Sequence, residues 1–193
     1  MNILIHFKKQ TLTNLTQKLI VQNEKFVKKE FDLDKTLMLL LSEVQEYYQQ
    51  IGESNKESDV SQLKNHLDLA TSGIDPLKME RVKTRKREMV RIACFHCLSN
   101  LGEILNTSLY DIQGMLQSAE EMLNQVVLSA YQSKLITDNI INALKTIDDV
   151  ALLWENLKKN EQILVIDKKL RLTVNHQDIN ILLDQSLAKL KTN

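Results

Sequence analysis

The chain has 193 residues, of which 43% are apolar and 26% charged, and its 25 Lys and Arg balance its 25 Asp and Glu. This composition is typical of a soluble globular protein and argues against a uniformly basic nucleic-acid-binding protein. Four Gly and one Pro favour long helices over tight turns. No window approaches a membrane span and no signal-peptide pattern is visible, so we expect a cytoplasmic protein without a membrane segment.

Three amphipathic helices are predicted in the first 73 residues. Apolar residues at three- and four-residue spacing predict one helix from about Thr11 and a second that ends at Gly52. The polar stretch 53–61 predicts a mobile loop or a subdomain boundary, followed by a short helix that ends at Gly73. Alternating apolar residues at 3–7 instead favour a short strand.

The middle of the chain predicts two further helices. Asp75 suits a helix cap and Pro76 a first helical position, so we expect a helix from there to about Asn106. Thr107 or Ser108 would then cap the next helix. The apolar residues of that helix form an uninterrupted, coiled-coil-like seam: Leu109, Ile112, Leu116, Ala119, Leu123, Val126 and Ala130. Such a seam indicates bundle packing.

The last third of the chain is predicted to be helical apart from one segment. Thr137 or Asp138 begins one helix, and Asn175 caps a last one. Between them, two apolar runs at 162–174 flank Asp-Lys-Lys and predict a small β-hairpin. A lone hairpin is marginal in water, so it would need cover from the strand at 3–7. The sequence thus predicts an all-α, multi-helix bundle of six or seven helices with a minor hairpin, in a single domain.

No catalytic or metal centre is recognisable in the sequence. Cys94 and Cys97 form a C-x-x-C pattern, but a zinc site needs a second ligand pair and a redox pair prefers a helix N-terminus. Buried core positions therefore suit both cysteines better. The four histidines are scattered, and the glycine-rich phosphate loops and nucleophile elbows of common enzymes are missing. We predict a non-enzymatic protein with no catalytic residues, metal or cofactor.

One segment is strongly basic although the net charge of the whole chain is zero. Residues 78–91 carry seven Lys and Arg against two Glu, whereas 32–77 and 92–155 are acidic. Two interpretations stay open. This basic cluster pairs with acidic neighbours such as Asp68, Asp75 and Glu103, or it binds an anion. Nucleic-acid phosphate is the anion that best suits clustered Lys and Arg.

The order of residues around this cluster resembles a known family. The run GIDP at 73–76 precedes KTRKREMV at 83–90, and SLYDI follows at 108–112. Residues 60–128 thereby resemble the C-terminal helix-turn-helix DNA-binding domain of the bacterial replication initiator DnaA and DnaA-like phage proteins, without its base-reading signature. The resemblance implies a basic loop that contacts phosphate and the minor groove of DNA, and in such a loop Lys83, Arg85 and Arg87 are the expected contacts.

We therefore predict a protein that binds double-stranded DNA by contacting phosphate through 78–91. The candidate residues are Lys83, Arg85, Lys86, Arg87 and Arg91. The alternative is a helical interaction or structural protein with no nucleic-acid role. It would bind itself or another protein through the apolar faces of 89–105 and 109–130.

Overall fold

Helices make up most of the chain in this computed structural model, which describes residues 4–81 and 85–191. Within these ranges there are eight: α1 (Ile5–Lys28), α2 (Leu33–Ile51), α3 (Ser54–Thr71), α4 (Lys86–Gln132), α5 (Asp138–Ala143), α6 (Ile147–Leu157), α7 (Glu161–Leu170) and α8 (His176–Lys191). The predicted all-α, multi-helix fold is confirmed, with eight helices in the described residues instead of six or seven. No helix among the described residues is long and apolar enough to cross a membrane.

The described residues fall into two compact units. Unit 1 is Gln10–Tyr110, and unit 2 comprises residues 4–9 and 111–191. Helices α1 and α4 each contribute to both units. The single-domain interpretation of the chain stays a prediction.

The polar stretch 53–61 is not the predicted loop, because α3 begins at Ser54. Nothing in this stretch breaks a helix, and Val60 is buried on its inner face while most of its polar neighbours are exposed. Polar residues on the outer face of a surface helix are ordinary, so their density did not indicate a loop.

Glycines end α2 and α3, as predicted. Gly52 and Gly73 have φ angles of 77° and 81°, a left-handed conformation that glycine adopts without strain. In each case the next residue donates its N–H to a carbonyl five positions back, at 3.0 Å and 2.9 Å, which satisfies the last helical turn. Lys29 takes the same position after α1 with a φ of 58°, and the N–H of Glu30 bonds the carbonyl of Lys25 at 3.1 Å.

The hairpin predicted at 162–174 is wrong, because helix α7 covers Glu161–Leu170. Asn160 caps this helix by accepting the N–H of Gln162 at 2.9 Å. One face of the helix is buried, at four- and three-residue spacing, which is the period of a helix. The buried residues are Ile163, Asp167 and Leu170.

The strand predicted at 3–7 is also wrong wherever the structure describes it, since α1 begins at Ile5. The buried carboxylate of Asp178 in α8 accepts the backbone N–H of Ile5 at 2.9 Å and of His6 at 3.2 Å. It also accepts the ring N–H of His6 at 2.7 Å. A carboxylate at this place satisfies the unpaired N–H groups of a helix start and interacts favourably with its dipole. Ile3 lies outside the described residues.

Residues 75–81 and Arg85 do not form the predicted start of a helix. The side chain of Asp75 accepts the N–H of Leu77 at 2.9 Å and of Lys78 at 3.3 Å, which closes a turn instead. Helix α4 begins only at Lys86. The basic residues before it that the structure describes therefore lie in a loop.

Helix α4 is continuous over 47 residues, so the break predicted near 106–108 is wrong. Ser108, expected as a cap, donates its hydroxyl to the carbonyl of Ile104 at 2.9 Å and accepts the hydroxyl of Tyr48 at 2.8 Å. These two bonds satisfy the buried serine inside a helix. Lys86–Gln132 consequently contains no turn that could separate the two helices of a helix-turn-helix.

The apolar seam predicted within α4 is confirmed as a packing face. Leu109 is half-buried and the other six residues are buried: Ile112, Leu116, Ala119, Leu123, Val126 and Ala130. This face is thus occupied inside the chain itself.

Candidate nucleic-acid interface

The predicted site residues lie at the start of α4. Arg85 precedes the helix with a φ of 64°, and its carbonyl accepts the first hydrogen bond of the helix at 3.1 Å. Lys86, Arg87 and Arg91 occupy the first two turns, and all four basic side chains are exposed. Lys83 lies outside the described residues. The structure thus brings together four of the five residues predicted from the sequence.

These side chains form one wall of an open groove of about 900 Å³ within unit 1. The end of α1, the connection that follows it and the start of α2 form the rest. Five cations and three carboxylates line the groove: Lys29, Arg85, Lys86, Arg87 and Arg91 with Glu30, Asp34 and Glu88. The remaining lining side chains are apolar: Phe26, Phe31, Leu33, Val90 and Cys94. Positive charge and apolar surface therefore meet in one place.

Two arginines of α4 stack on two phenylalanines of the groove. The guanidinium of Arg87 lies 4.8 Å from the ring centre of Phe31, and that of Arg91 lies 5.1 Å from the ring centre of Phe26. Both distances are within the cation–π range of about 6 Å. A ring contact uses none of the five N–H donors of a guanidinium as an ion pair would, so each arginine can still donate to an anion.

The four basic side chains at the start of α4 form no ion pair with any other described residue. Asp68 and Glu103 make none either within the described ranges, and the side chain of Asp75 accepts backbone N–H groups of its own turn. The interpretation in which the cluster pairs with acidic helices thus finds no support in the described part of the chain.

Sequence reasoning missed the groove residues from α1 and the connection after it. Phe26, Lys29 and Phe31 belong to the run KFVKKEF at 25–31, which holds three lysines and two phenylalanines. This mixture of cations and aromatic rings was a usable signal. Its position beside the start of α4 depends on tertiary packing, which no local pattern reveals.

Cys94 and Cys97 are buried, as predicted, with free thiols. Burial raises the pKa of Cys94 to about 11 and that of Cys97 to about 12. The thiol of Cys97 donates to the carbonyl of Leu63 at 3.4 Å. An enclosed, protonated thiol is a poor nucleophile and a poor metal ligand. Within the described ranges, no three His, Cys, Asp or Glu side chains are grouped so that they could hold a metal ion.

Alkaline pH is expected to destabilise the protein through these two thiols. In the unfolded chain they ionise near 9.0, whereas in the fold they stay protonated to about 11 and about 12. Their contribution to stability is therefore fully present below pH 9.0 and is lost as the pH rises towards the folded values. Urea denaturation between about pH 8 and about pH 10 measures the fall in the free energy of unfolding. The fall should be shallower in Cys94→Ala with Cys97→Ala, and identical slopes would contradict this origin.

Packing brings together two histidines that are widely separated in the sequence. His66 of α3 and His96 of α4 stack with their ring centres 4.8 Å apart. Burial, and secondly the neighbouring His96, lowers the pKa of His66. This lowered pKa favours the neutral ring of His66. The two histidines are far apart in the chain, and nothing local shows that α3 and α4 place them side by side.

Comparison of the chain with the families of known proteins, with curated proteins and with solved structures finds no match. Function therefore has to be inferred from the groove. The resemblance of residues 60–128 to DnaA stays a prediction, and the continuity of α4 is a departure from the helix-turn-helix that it implies.

Proposed function

We propose that this protein is a non-enzymatic DNA-binding protein that contacts phosphate groups through the basic stretch 78–91. The observation that carries the proposal is the set of four exposed cations at the start of α4, none of which is ion-paired with another described residue. Unpaired Lys and Arg clustered on one surface are the usual counterpart of nucleic-acid phosphate. Three of the four are arginines, which can bind a phosphate through two N–H groups at once.

The electrostatics of the helix start support the same proposal. The first N–H groups of a helix have no partner within it, and they carry a partial positive charge. Lys86 and Arg87 add two full positive charges in the first turn of α4, against one carboxylate from Glu88. Positive side chains are unfavourable at this end of a helix, so a bound anion would relieve the repulsion.

The loop before α4 extends the basic surface. Lys78 and Arg81 are exposed in it, beside the exposed apolar side chains of Leu77 and Met79. A strip of cations on a loop and the adjoining helix can follow a phosphate backbone over several contacts. The proposal therefore assigns the whole stretch to DNA contact, with the start of α4 at its centre.

Replacing Arg85 and Arg87 together by alanine is expected to weaken duplex binding and to flatten its salt dependence. Each phosphate contact contributes about 0.9 to the slope of log affinity against log salt, so the double variant should lose about two from that slope. Fluorescence anisotropy of a labelled duplex, titrated between about 50 and about 200 mM salt, measures both quantities.

The matched control is Lys168→Ala with Lys169→Ala, which removes two exposed cations from α7 in unit 2. This variant should keep the affinity and the salt slope of the wild type. Thermal melts of all three proteins show whether they are equally folded. If the arginine variant binds duplex as tightly as the wild type at low salt, these two residues do not contact phosphate.

A second candidate function is binding to another protein or to a second copy of this chain. Large apolar side chains that stay exposed in unit 1 favour it: Val27, Leu39, Ile92, Phe95 and Tyr110. The seam at 109–130 no longer does, because it is buried inside the chain. Sedimentation at several concentrations separates the two candidates. A concentration-dependent dimer that leaves duplex DNA unbound would favour the second, and a monomer that binds duplex at low salt would favour the first.

A further inference from the structure

We infer that the groove binds single-stranded DNA, with arginines on its phosphates and a base stacked on Phe31. The inference rests on the proposed function and specifies that the bound DNA is single-stranded. Its starting observation is that Phe31 is 86% exposed although it is large, apolar and surrounded by charged groups. A ring held in this way buries little apolar area in the fold, but it offers a flat surface on which a base can stack.

The ring of Phe31 remains accessible beside its arginine. The guanidinium of Arg87 lies over it at 4.8 Å, but the exposure of the residue means that most of the ring is uncovered. A second aromatic surface lies close by, since Phe95 is 59% exposed and packs against Phe26 with ring centres 5.9 Å apart. The groove thus has more than one aromatic surface within reach of its cations.

The arginine–phenylalanine pairs repeat along the helix. Arg87 and Arg91 are four residues apart in α4, so their side chains leave the same face about 6 Å from each other. This separation is close to that of successive phosphates in an extended single strand. Each guanidinium has N–H donors for a phosphate, and each lies on an aromatic ring. The repeat of cation and ring therefore parallels the repeat of phosphate and base.

A single strand suits these features better than a duplex or an acidic peptide. In a duplex the bases already stack on one another, so phosphates would meet the arginines while Phe31 stayed unused. An acidic peptide would also meet the cations, but it would place its carboxylates near Glu30, Asp34 and Glu88. The edges of nucleic-acid bases instead carry N–H groups, and these can donate hydrogen bonds to the same carboxylates.

The test compares Phe31→Leu with the wild type on a labelled thymidine strand of about 12 nucleotides and on the duplex of that strand with its complement. Leucine keeps an apolar side chain but removes the flat ring. We expect single-strand affinity to fall roughly 5- to 150-fold, the range for loss of one stacked base, and duplex affinity to stay unchanged. Phe7→Leu is the matched control, because Phe7 is also exposed, at 56%, and lies in residues 4–9 of unit 2.

Each outcome decides the inference. Tighter binding of single strand than of duplex, with a selective loss in Phe31→Leu only, supports it. Equal single-strand affinity of Phe31→Leu and wild type overturns it, while salt-dependent duplex binding would leave the proposed function standing. An equal loss in Phe7→Leu also overturns it, because the effect would not belong to the groove. Displacement of the strand by polyglutamate at the same charge concentration overturns it in favour of an acidic peptide. Failure to bind either DNA overturns both.

Discussion

Replacing Trp154 by alanine is expected to lower the free energy of unfolding by about 4 kcal/mol. Trp154 is fully buried in α6, and its indole N–H donates to the carboxylate of Asp167 at 2.8 Å. That carboxylate is buried as well, and it also accepts the Nε–H of Arg171 at 2.8 Å. The truncation therefore removes a large apolar side chain from the core of unit 2 and takes one partner from a buried charge.

Two further variants separate these causes. Trp154→Phe keeps most of the ring volume without the N–H, so it should lose only about 2 kcal/mol. Leu152→Ala changes an exposed residue of the same helix and should stay within about 0.5 kcal/mol of the wild type. Urea denaturation of the three variants gives the comparison. A Trp154→Ala protein as stable as the wild type would contradict the packing of α6 against α7.

Replacing Asp178 by alanine is expected to lower the free energy of unfolding by about 3 kcal/mol. The carboxylate has no solvent exposure and accepts three hydrogen bonds from the first residues of α1, two from backbone N–H groups and one from the ring of His6. Alanine would leave these donors without that partner, with the N–H of Ile5 buried and the two donors of His6 partly buried. The loss should be visible as an earlier midpoint in urea denaturation.

An exposed carboxylate on the same helix supplies the control for Asp178. Asp184 lies in α8 with its side chain exposed, so Asp184→Ala should change stability by no more than about 0.5 kcal/mol. Asp178→Asn should fall between the two alanine variants, because an amide oxygen can still accept while the charge is gone. Equal stability of the two alanine variants would show that Asp178 does not hold the start of α1.

Local sequence patterns predicted the fold correctly at two kinds of place. One is a helix that ends at a glycine, and the other is a long helix with regularly spaced apolar residues. Glycine takes the left-handed conformation without strain, and for this reason Gly52 and Gly73 could be predicted as helix ends. The spacing of 109–130 fixed one apolar face. Short apolar runs such as those at 162–174 suit a strand or a helix equally, so the sequence predicts strands where the structure has α7. The bond of Asp167 to Trp154, which favours the helix, is a tertiary contact.

The candidate groove was predictable only on the side of α4. Charge density identified Arg85 to Arg91, because seven cations in 14 residues differ from the rest of a neutral chain. Phe26 and Phe31 join them through packing of distant segments. The composition could not show whether these cations form ion pairs with acidic side chains, because ion pairing depends on the positions of the side chains in the fold. The absence of ion pairs from the four cations, within the described residues, is the structural fact that favours an external anion.

The continuity of α4 restricts the way in which this protein could contact DNA. A helix-turn-helix inserts its second helix into the major groove, but Lys86–Gln132 is one helix without a turn. The apolar seam of that helix is occupied by packing, so this face does not offer a surface to bases. The proposed phosphate contacts are therefore assigned to the loop at 78–81 and to the first turns of α4. Such contacts predict binding that depends on salt more than on sequence.

The salt dependence of DNA binding by the wild-type protein tests this account most directly. Four exposed cations that each neutralise one phosphate predict measurable duplex binding at about 50 mM salt. They also predict a straight line of log affinity against log salt with a slope of about −4, which contacts from Lys78 and Arg81 would make steeper. Absence of binding at that salt concentration, or an affinity that does not change with salt, would contradict the assignment of the basic stretch 78–91 to nucleic-acid phosphate.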